Sequence, residues 1–223
     1  MKTIYKKYTI TFDPPPIPSW VGCDYQATHE DYDGEDDPDT VAFARNAKQF
    51  HNSQFVELPI GEYDFSLMRH FLFDTADYYR FEMLINSSFE PLHLLARKLK
   101  GECRYHIMHG DSWIKKLGNG TEDSINRLQK SLEYCIPFAL GIFEESKLEE
   151  SIISENIFEG EITLRERWIE HIDSVLSKTE LVLPDLAKES PHFGGRYGEH
   201  TEHLQPLLDE MSEVIGSDPG ADW

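Results

Sequence analysis

The chain has 223 residues, enough for one sizeable hydrophobic core, and a formal net charge of -20, because 41 Asp and Glu outnumber 21 Lys and Arg. So much negative charge repels nucleic acid and anionic membrane surfaces, which excludes both as partners. No apolar stretch has the length of a membrane span. The three cysteines, Cys23, Cys103 and Cys135, have neither zinc spacing nor an even count, so reduced thiols in the cytoplasm are expected.

Residues 1–34 are predicted to form a poorly ordered leader. The run from Pro14 to Pro18 favours extended polyproline structure, and acidic, turn-forming residues follow it. This segment offers little apolar surface to bury. Residues 35–223 are predicted to form one helical domain. Its first helix start is marked by Asp37, a suitable N-cap, followed by Pro38 at the first helical position.

Apolar residues spaced by three and four predict helices along the rest of the chain. Thr residues suited to N-capping and Pro or Gly residues mark several helix ends. The predicted elements are a helix from Asp64 to Asn86, a helix from Pro91 to Gly118, helices that begin at Thr121 and at Thr163, and a last helix from near Thr201 to Val214. No segment indicates a convincing sheet, so the predicted fold class is an all-α helical bundle.

Four side chains on two of these helices are candidates for a relic metal site. Glu102 and His106 lie on or beside the apolar stripe of their helix, so both are expected to be buried and paired with each other. Asp74 and Asp77 lie on the preceding helix, and the sequence leaves open whether they are buried or solvated. A di-iron site needs Glu on two helices and Glu-x-x-His on two more. These residues supply only two partial pairs, so no metal is expected on this chain.

Two other groups have the residue types of a reactive site. His200 and His203 flank Glu202 in a zinc-like sequence, but they are three residues apart, whereas a two-His zinc helix usually spaces them by four. A role in the fold or in an interface is the favoured interpretation of these three residues. Cys103 lies three residues before His106, as in a Cys–His nucleophile, but a thiol on an apolar stripe usually belongs to the core.

Several short motifs occur in a fixed order from Asp39 to the C-terminus. They are Asp39-Thr40-Val41-Ala42-Phe43, Val56-Glu57-Leu58-Pro59-Ile60-Gly61, Glu102-Cys103-Arg104-Tyr105-His106, Leu117-Gly118-Asn119-Gly120-Thr121-Glu122, Gly194-Gly195-Arg196-Tyr197-Gly198-Glu199-His200-Thr201-Glu202-His203-Leu204 and Pro219-Gly220-Ala221-Asp222-Trp223. Together they resemble the non-catalytic C subunits of the bacterial phenylacetyl-CoA epoxidase. The resemblance covers about residues 35–223. Residues 1–34 do not match, so the family's first core helix is predicted to be absent.

This resemblance implies a ferritin-like helical bundle and a structural role in an oxygenase complex. In that family a di-iron catalytic A subunit epoxidises the ring of phenylacetyl-CoA with dioxygen and electrons relayed from a reductase. The chain would support that subunit in the phenylacetate catabolism of a bacterial cytoplasm. It would have no catalytic residue, iron or other cofactor of its own.

The sequence leaves two other functions open. A free-standing ferritin-like metal protein or oxidase would use Asp74, Asp77, Glu102 and His106 as ligands, and stoichiometric iron on the purified chain would distinguish it. A truncated, non-functional fusion would lack one core helix and would expose an apolar groove, which promotes association or aggregation.

Overall fold

The computed structural model describes residues 45–186 and 190–217, and the chain divides into two compact units. A helical unit runs from Ile60 to Pro191. A second unit combines residues 45–59 with residues 192–217. The predicted leader, the predicted helix start at Asp37, the predicted absence of a first core helix and the terminal motif that ends at Trp223 lie outside the described residues.

Five helices make up the described part of the helical unit. They are α1 (Tyr63–Leu84), α2 (Glu90–Leu117), α3 (Glu122–Ala139), α4 (Glu149–Ser154) and α5 (Glu161–Leu176), with a 3-10 turn at Leu140–Phe143. The described residues contain no strand, so the predicted all-α class is confirmed. The helices predicted from Asp64 and Pro91 both exist, and each begins one residue earlier than predicted.

The central helix of this unit is α1, which packs against α2, α3 and α5. Twelve of its 22 residues are buried, so it is enclosed around much of its circumference, as is typical of a core helix. Trp168 of α5 is completely buried, and its indole Nε1–H donates to the Leu72 carbonyl oxygen of α1 at 2.8 Å. Burial of large apolar side chains supplies most of the favourable free energy of such a core.

The face that α2 turns toward the core matches the predicted one only in part. Its buried residues are Leu92, Ala96, Ile107, Gly110 and Ile114. The sequence predicts a stripe of Leu92, Leu95, Leu99, Cys103, His106, Gly110, Trp113 and Leu117; Leu92 and Gly110 are buried, and the other six are half-buried. Periodicity alone did not settle the face, because apolar residues occur on more than one side of this helix.

The starts of two helices show when a capping residue can be recognised in the sequence. The Thr121 side chain accepts a hydrogen bond from the Ser124 N–H and caps α3, as predicted. By contrast, α5 begins at Glu161, two residues before the predicted Thr163. The Glu161 N–H donates to Oε1 of Glu149, a residue of α4, at 2.7 Å. A cap from another helix leaves no local sequence signal, so the observed start could not be predicted.

The second unit consists of short elements. Its described residues form 3-10 turns at Ala47–Gln49, Gln54–Glu57 and Gly195–Tyr197, followed by α6 (Leu204–Met211) and α7 (Glu213–Ser217). Phe50, Leu204 and Leu208 form its buried apolar cluster, with Ala47 and Met211 packed against them. Throughout the described parts of the chain, no helix is long and apolar enough to cross a membrane.

The predicted last helix, from near Thr201 to Val214, is wrong at its start and in its continuity. The helix begins only at Leu204 and is interrupted at Ser212. The Thr201 hydroxyl accepts a hydrogen bond from the His203 N–H at 3.2 Å. Local bonds of this kind compete with helix formation and delay the helix start.

Candidate functional site

A buried ion pair joins the two chain segments of the second unit. Glu57 Oε1 lies 2.7 Å from His200 Nδ1, and the two side chains are 0% and 9% exposed. Glu57 Oε1 also accepts from Asn52 Nδ2 at 2.9 Å, and Oε2 accepts from the Thr201 N–H at 2.6 Å. We call Asn52, Glu57, His200 and Thr201 the clasp. The clasp joins two motifs that are far apart in the sequence.

Local hydrogen bonding positions Glu57 for this contact. The Ser53 hydroxyl accepts from the Phe55 N–H at 3.3 Å and caps the 3-10 turn at Gln54–Glu57. The turn buries both Phe55 and Glu57. A buried carboxylate is costly unless it is paired and hydrogen-bonded, and the clasp meets this requirement with three donors.

The surroundings of His200 favour its charged form. Nδ1 faces the Glu57 carboxylate, and Nε2 lies 3.1 Å from the Phe50 carbonyl oxygen. Two acceptors on one imidazole are best satisfied when both nitrogens carry protons. Burial acts to lower the pKa of His200, but the Glu57 carboxylate and the carbonyl oxygens of Phe50 and Ala47 outweigh it and raise the pKa.

Of the three predicted motif residues, only His200 contributes its side chain to the clasp. Glu202 is exposed, and His203 is half-buried. The fold or interface role of Glu202 and His203 therefore stays a prediction.

The glycine-rich sequence before His200 packs directly against the segment around Asn52. A Cβ atom at Gly195 would lie 2.2 Å from the Asn52 carbonyl oxygen, so only glycine fits there. Gln54 Nε2 donates to the Glu199 carbonyl oxygen at 2.9 Å, and His51 Nδ1 lies 3.1 Å from the Arg196 carbonyl oxygen. Through these contacts the glycine-rich motif binds to the segment around Asn52.

We expect the stability of the second unit to fall as the pH rises, because the pKa of His200 is higher in the folded chain than in the unfolded one. The stabilisation is complete below the unfolded-state pKa of about 6.5 and is lost as the pH rises through the folded-state pKa. Urea unfolding of the wild type and of His200→Gln across this range measures it. The difference between the two proteins should shrink at high pH.

His203→Gln is the matched control for this experiment, because it removes a neighbouring imidazole that is not part of the clasp. Its pH profile should follow that of the wild type. A difference between the wild type and His200→Gln that stays constant with pH would contradict a charged His200.

The four candidate metal ligands lie on α1 and α2, which pack against each other. On α1, Asp77 is buried and Asp74 is half-buried. The Oδ2 atom of Asp74 lies 3.6 Å from Nδ1 of His70. On α2, His106 is half-buried but Glu102 is exposed, so the prediction that Glu102 is buried is wrong. Glu102 lies beside the outward face of α2, where water solvates its charge. Among the described residues, no group of three or more His, Cys, Asp and Glu side chains is arranged to hold a metal ion.

Cys103 is poorly suited to act as a nucleophile. Burial raises the pKa of its thiol, and the negative charges of Asp77, Asp74 and Glu102 raise it further. Reaction requires the thiolate, which both effects disfavour. The structure therefore does not support a nucleophilic pair of Cys103 with His106.

A buried ion pair between α1 and α5 was not predicted from the sequence. Arg80 Nη1 lies 2.5 Å from Glu161 Oε1, and the side chains are 5% and 3% exposed. Arg80 Nη2 also lies 3.5 Å from the Ile142 carbonyl oxygen. The sequence contained one indication of this pair. Arg80 lies in a helix that is otherwise rich in core residues, and arginine is rarely buried without a partner.

A second polar network connects α1, α2 and α5. The Tyr79 hydroxyl lies 3.2 Å from His171 Nδ1, and His171 Nε2 lies 2.9 Å from Asp111 Oδ1. Burial acts to raise the pKa of Asp111, but hydrogen bonds from His171 and Lys115 outweigh it and lower the pKa. Burial and nearby carboxylates raise the pKa of Tyr79, so this phenol keeps its proton. The network orients three helices and contains no activated nucleophile.

Comparison with known proteins identifies the family. Residues 25–223 match the family described as phenylacetic acid catabolic protein. The chain is also 31% identical over 190 residues to the C subunit of 1,2-phenylacetyl-CoA epoxidase from Escherichia coli (strain K12), an alignment that covers 85% of this chain and 76% of that protein. The chain belongs to the phenylacetic acid catabolic protein family. The match begins at residue 25, upstream of the predicted boundary at Glu35.

Membership of the phenylacetic acid catabolic protein family confirms two predictions from the sequence. The resemblance to the epoxidase C subunits is borne out, and the helical architecture is that of a ferritin-like family. The chain therefore has a role in phenylacetate catabolism.

Proposed function

We propose that this chain is a non-catalytic, structural subunit of a multicomponent phenylacetyl-CoA ring epoxidase and supports a di-iron catalytic subunit. The observation that carries the proposal is the 31% identity to an epoxidase C subunit over 85% of the chain. Such a subunit has partner subunits by definition. Free Cys103 and Cys135 are consistent with a reducing bacterial cytoplasm as the site of action.

Within residues 45–186 and 190–217, the donor atoms do not fit a di-iron centre. Such a centre requires carboxylates and histidines that converge from four helices. Here Glu102 is exposed, and the carboxylates of Asp74 and Asp77 lie near a Cys103 thiol that keeps its proton. On α5 the buried Glu161 is already neutralised by Arg80. We therefore assign the iron chemistry of the complex to the partner and derive no reaction step on this chain.

The clasp supports a structural role. His200 belongs to a sequence rich in potential metal ligands, and its two ring nitrogens face Glu57 and a backbone carbonyl oxygen. These residues hold two segments of the same chain together, which is a task in folding and not in catalysis.

Co-purification and iron quantitation test the proposal. The full chain, tagged, is co-expressed with the catalytic subunit from the same source, and the complex is isolated by affinity and size-exclusion chromatography. Iron is measured in the complex, in the catalytic subunit alone and in this chain alone. We expect a stable complex whose iron content per catalytic subunit equals that of the catalytic subunit alone, with no iron in this chain alone.

Two results would overturn the proposal. Stoichiometric iron in the isolated chain would identify a free-standing metal protein. Failure of the folded chain to associate with the catalytic subunit would remove the structural role.

A further inference from the structure

The outward side of α2 carries an exposed apolar stripe. Leu94, Tyr105 and Met108 are 55%, 69% and 59% exposed. Together with exposed Gly101, they are spaced by seven, four and three residues, so they lie along one side of the helix. The helical rise from Leu94 to Met108 is about 21 Å. We call Leu94, Gly101, Tyr105 and Met108 the outer stripe.

The glycine in this stripe is not explained by packing against any residue that the structure describes. Glycine inside a helix is destabilising relative to alanine. Apart from its chain neighbours and the backbone of its own helix, a Cβ atom at Gly101 would have no described heavy atom within 4 Å, so alanine would fit. Gly110 of the same helix is different, because its Cβ atom would lie 3.4 Å from Phe71 Cα, where α1 and α2 approach closely. Close approach of another backbone would account for Gly101 in the same way.

The charge of α2 is opposite to that of the whole chain. This helix contains six Lys and Arg residues against three Asp and Glu, whereas the chain has a net charge of -20. Arg97 and Arg104 lie along one edge of the outer stripe, and Lys98 and Glu102 lie along the other; all four are exposed, and three of the four are basic. An apolar centre with a charged rim is the usual composition of a protein interface, and a basic rim complements an acidic partner.

We propose that the outer stripe is a docking surface for the catalytic subunit, which contacts it through a helix with apolar residues in the middle and Asp or Glu at the edges. The inference rests on the proposed function. Packed helix axes lie 8–10 Å apart, depending on the side chains at the contact, and Gly101 permits an approach at the short end. Leu94, Tyr105 and Met108 would then be buried, and Arg97 and Arg104 would face the acidic edge.

Substitutions of Gly101 give the sharpest test. The full chain is immobilised, and binding of the purified catalytic subunit is measured by biolayer interferometry. Gly101→Ala should raise the melting temperature of the isolated chain, because the helix is strengthened, and should nevertheless weaken binding. Gly101→Leu should raise Kd by roughly tenfold or more, the effect of a bulky side chain at a close contact. Gly216→Ala, at another position with open space, should leave Kd unchanged.

The charged rim is tested separately. Arg97→Glu combined with Arg104→Glu should slow association by about tenfold at low salt, and added salt should reduce the difference. The matched control is Lys130→Glu combined with Lys178→Glu, which changes the net charge equally at exposed positions outside α2. This control should change the association rate much less.

The outcomes separate the inference from the proposed function. If the wild-type chain does not bind the catalytic subunit, the proposed function fails and the inference fails with it. If the wild type binds and both Gly101→Leu and the double Arg variant bind equally well, only the docking surface is refuted. A wild-type chain that dimerises alone, with Gly101→Leu a monomer, would assign the stripe to a second copy and would also overturn the inference.

Discussion

Replacing Arg80 by methionine is expected to lower the free energy of unfolding by about 3–5 kcal/mol, because it leaves the Glu161 charge buried without its partner. Both side chains are almost completely enclosed, and Nη1 and Oε1 are 2.5 Å apart. The double variant Arg80→Met with Glu161→Met removes both charges and should recover most of this loss, to within about 1 kcal/mol of the wild type. Urea denaturation followed by far-UV circular dichroism measures all three proteins.

The surface pair between Arg167 and Glu159 is the matched control. Its Nη2 and Oε2 atoms are also 2.5 Å apart, but the side chains are 34% and 43% exposed. Water solvates these charges when the pair is broken, so Arg167→Met should cost less than about 1 kcal/mol. Equal losses for Arg80→Met and Arg167→Met would show that burial does not determine the strength of these pairs.

Replacing Glu57 by glutamine is expected to destabilise the second unit by about 3–5 kcal/mol, because buried His200 loses its counter-charge. The substitution also replaces one carboxylate oxygen by an NH2 group, which would face either Asn52 and His200, now bonded to Oε1, or the Thr201 N–H, now bonded to Oε2. A donor would then face donors, and a buried polar group without a partner is costly. Hydrogen exchange of the backbone amides in residues 46–58 and 195–211 should accelerate by roughly 100-fold or more, since about 1.4 kcal/mol corresponds to tenfold.

Glu202→Gln is the control for this prediction, because it makes the same chemical change at an exposed position in the same motif. It should alter stability by no more than about 0.5 kcal/mol. Hydrogen exchange of the α1 amides should be unchanged in Glu57→Gln, since the clasp lies in the other unit. Exchange that is unchanged at residues 46–58 and 195–211 in Glu57→Gln would show that the clasp does not hold these segments.

The clasp shows how far a candidate site can be predicted from its motif. The sequence alone placed His200, Glu202 and His203 in one group and favoured a role in the fold or in an interface. It did not identify the partner, because Glu57 is 143 residues away. The density of His and Glu suggested metal chemistry, but the hydrogen-bond partners of His200 indicate a charged group that links two segments.

The sequence by itself determined the all-α class, the positions of the long helices and the capping of α3 by Thr121. These features depend on apolar spacing and on hydrogen bonds between residues close in the chain. Several short motifs in a fixed order were also sufficient to indicate the family, which the comparisons then confirmed.

Only the tertiary structure decided which face of α2 is buried, where α5 begins and which charged residues pair. Apolar residues occur on two sides of α2, so the buried side depends on what packs against it. The start of α5 depends on a carboxylate from α4, and Arg80 pairs with Glu161 across 81 residues. Each outcome is a contact between segments distant in sequence, and local periodicity contains no information about such contacts.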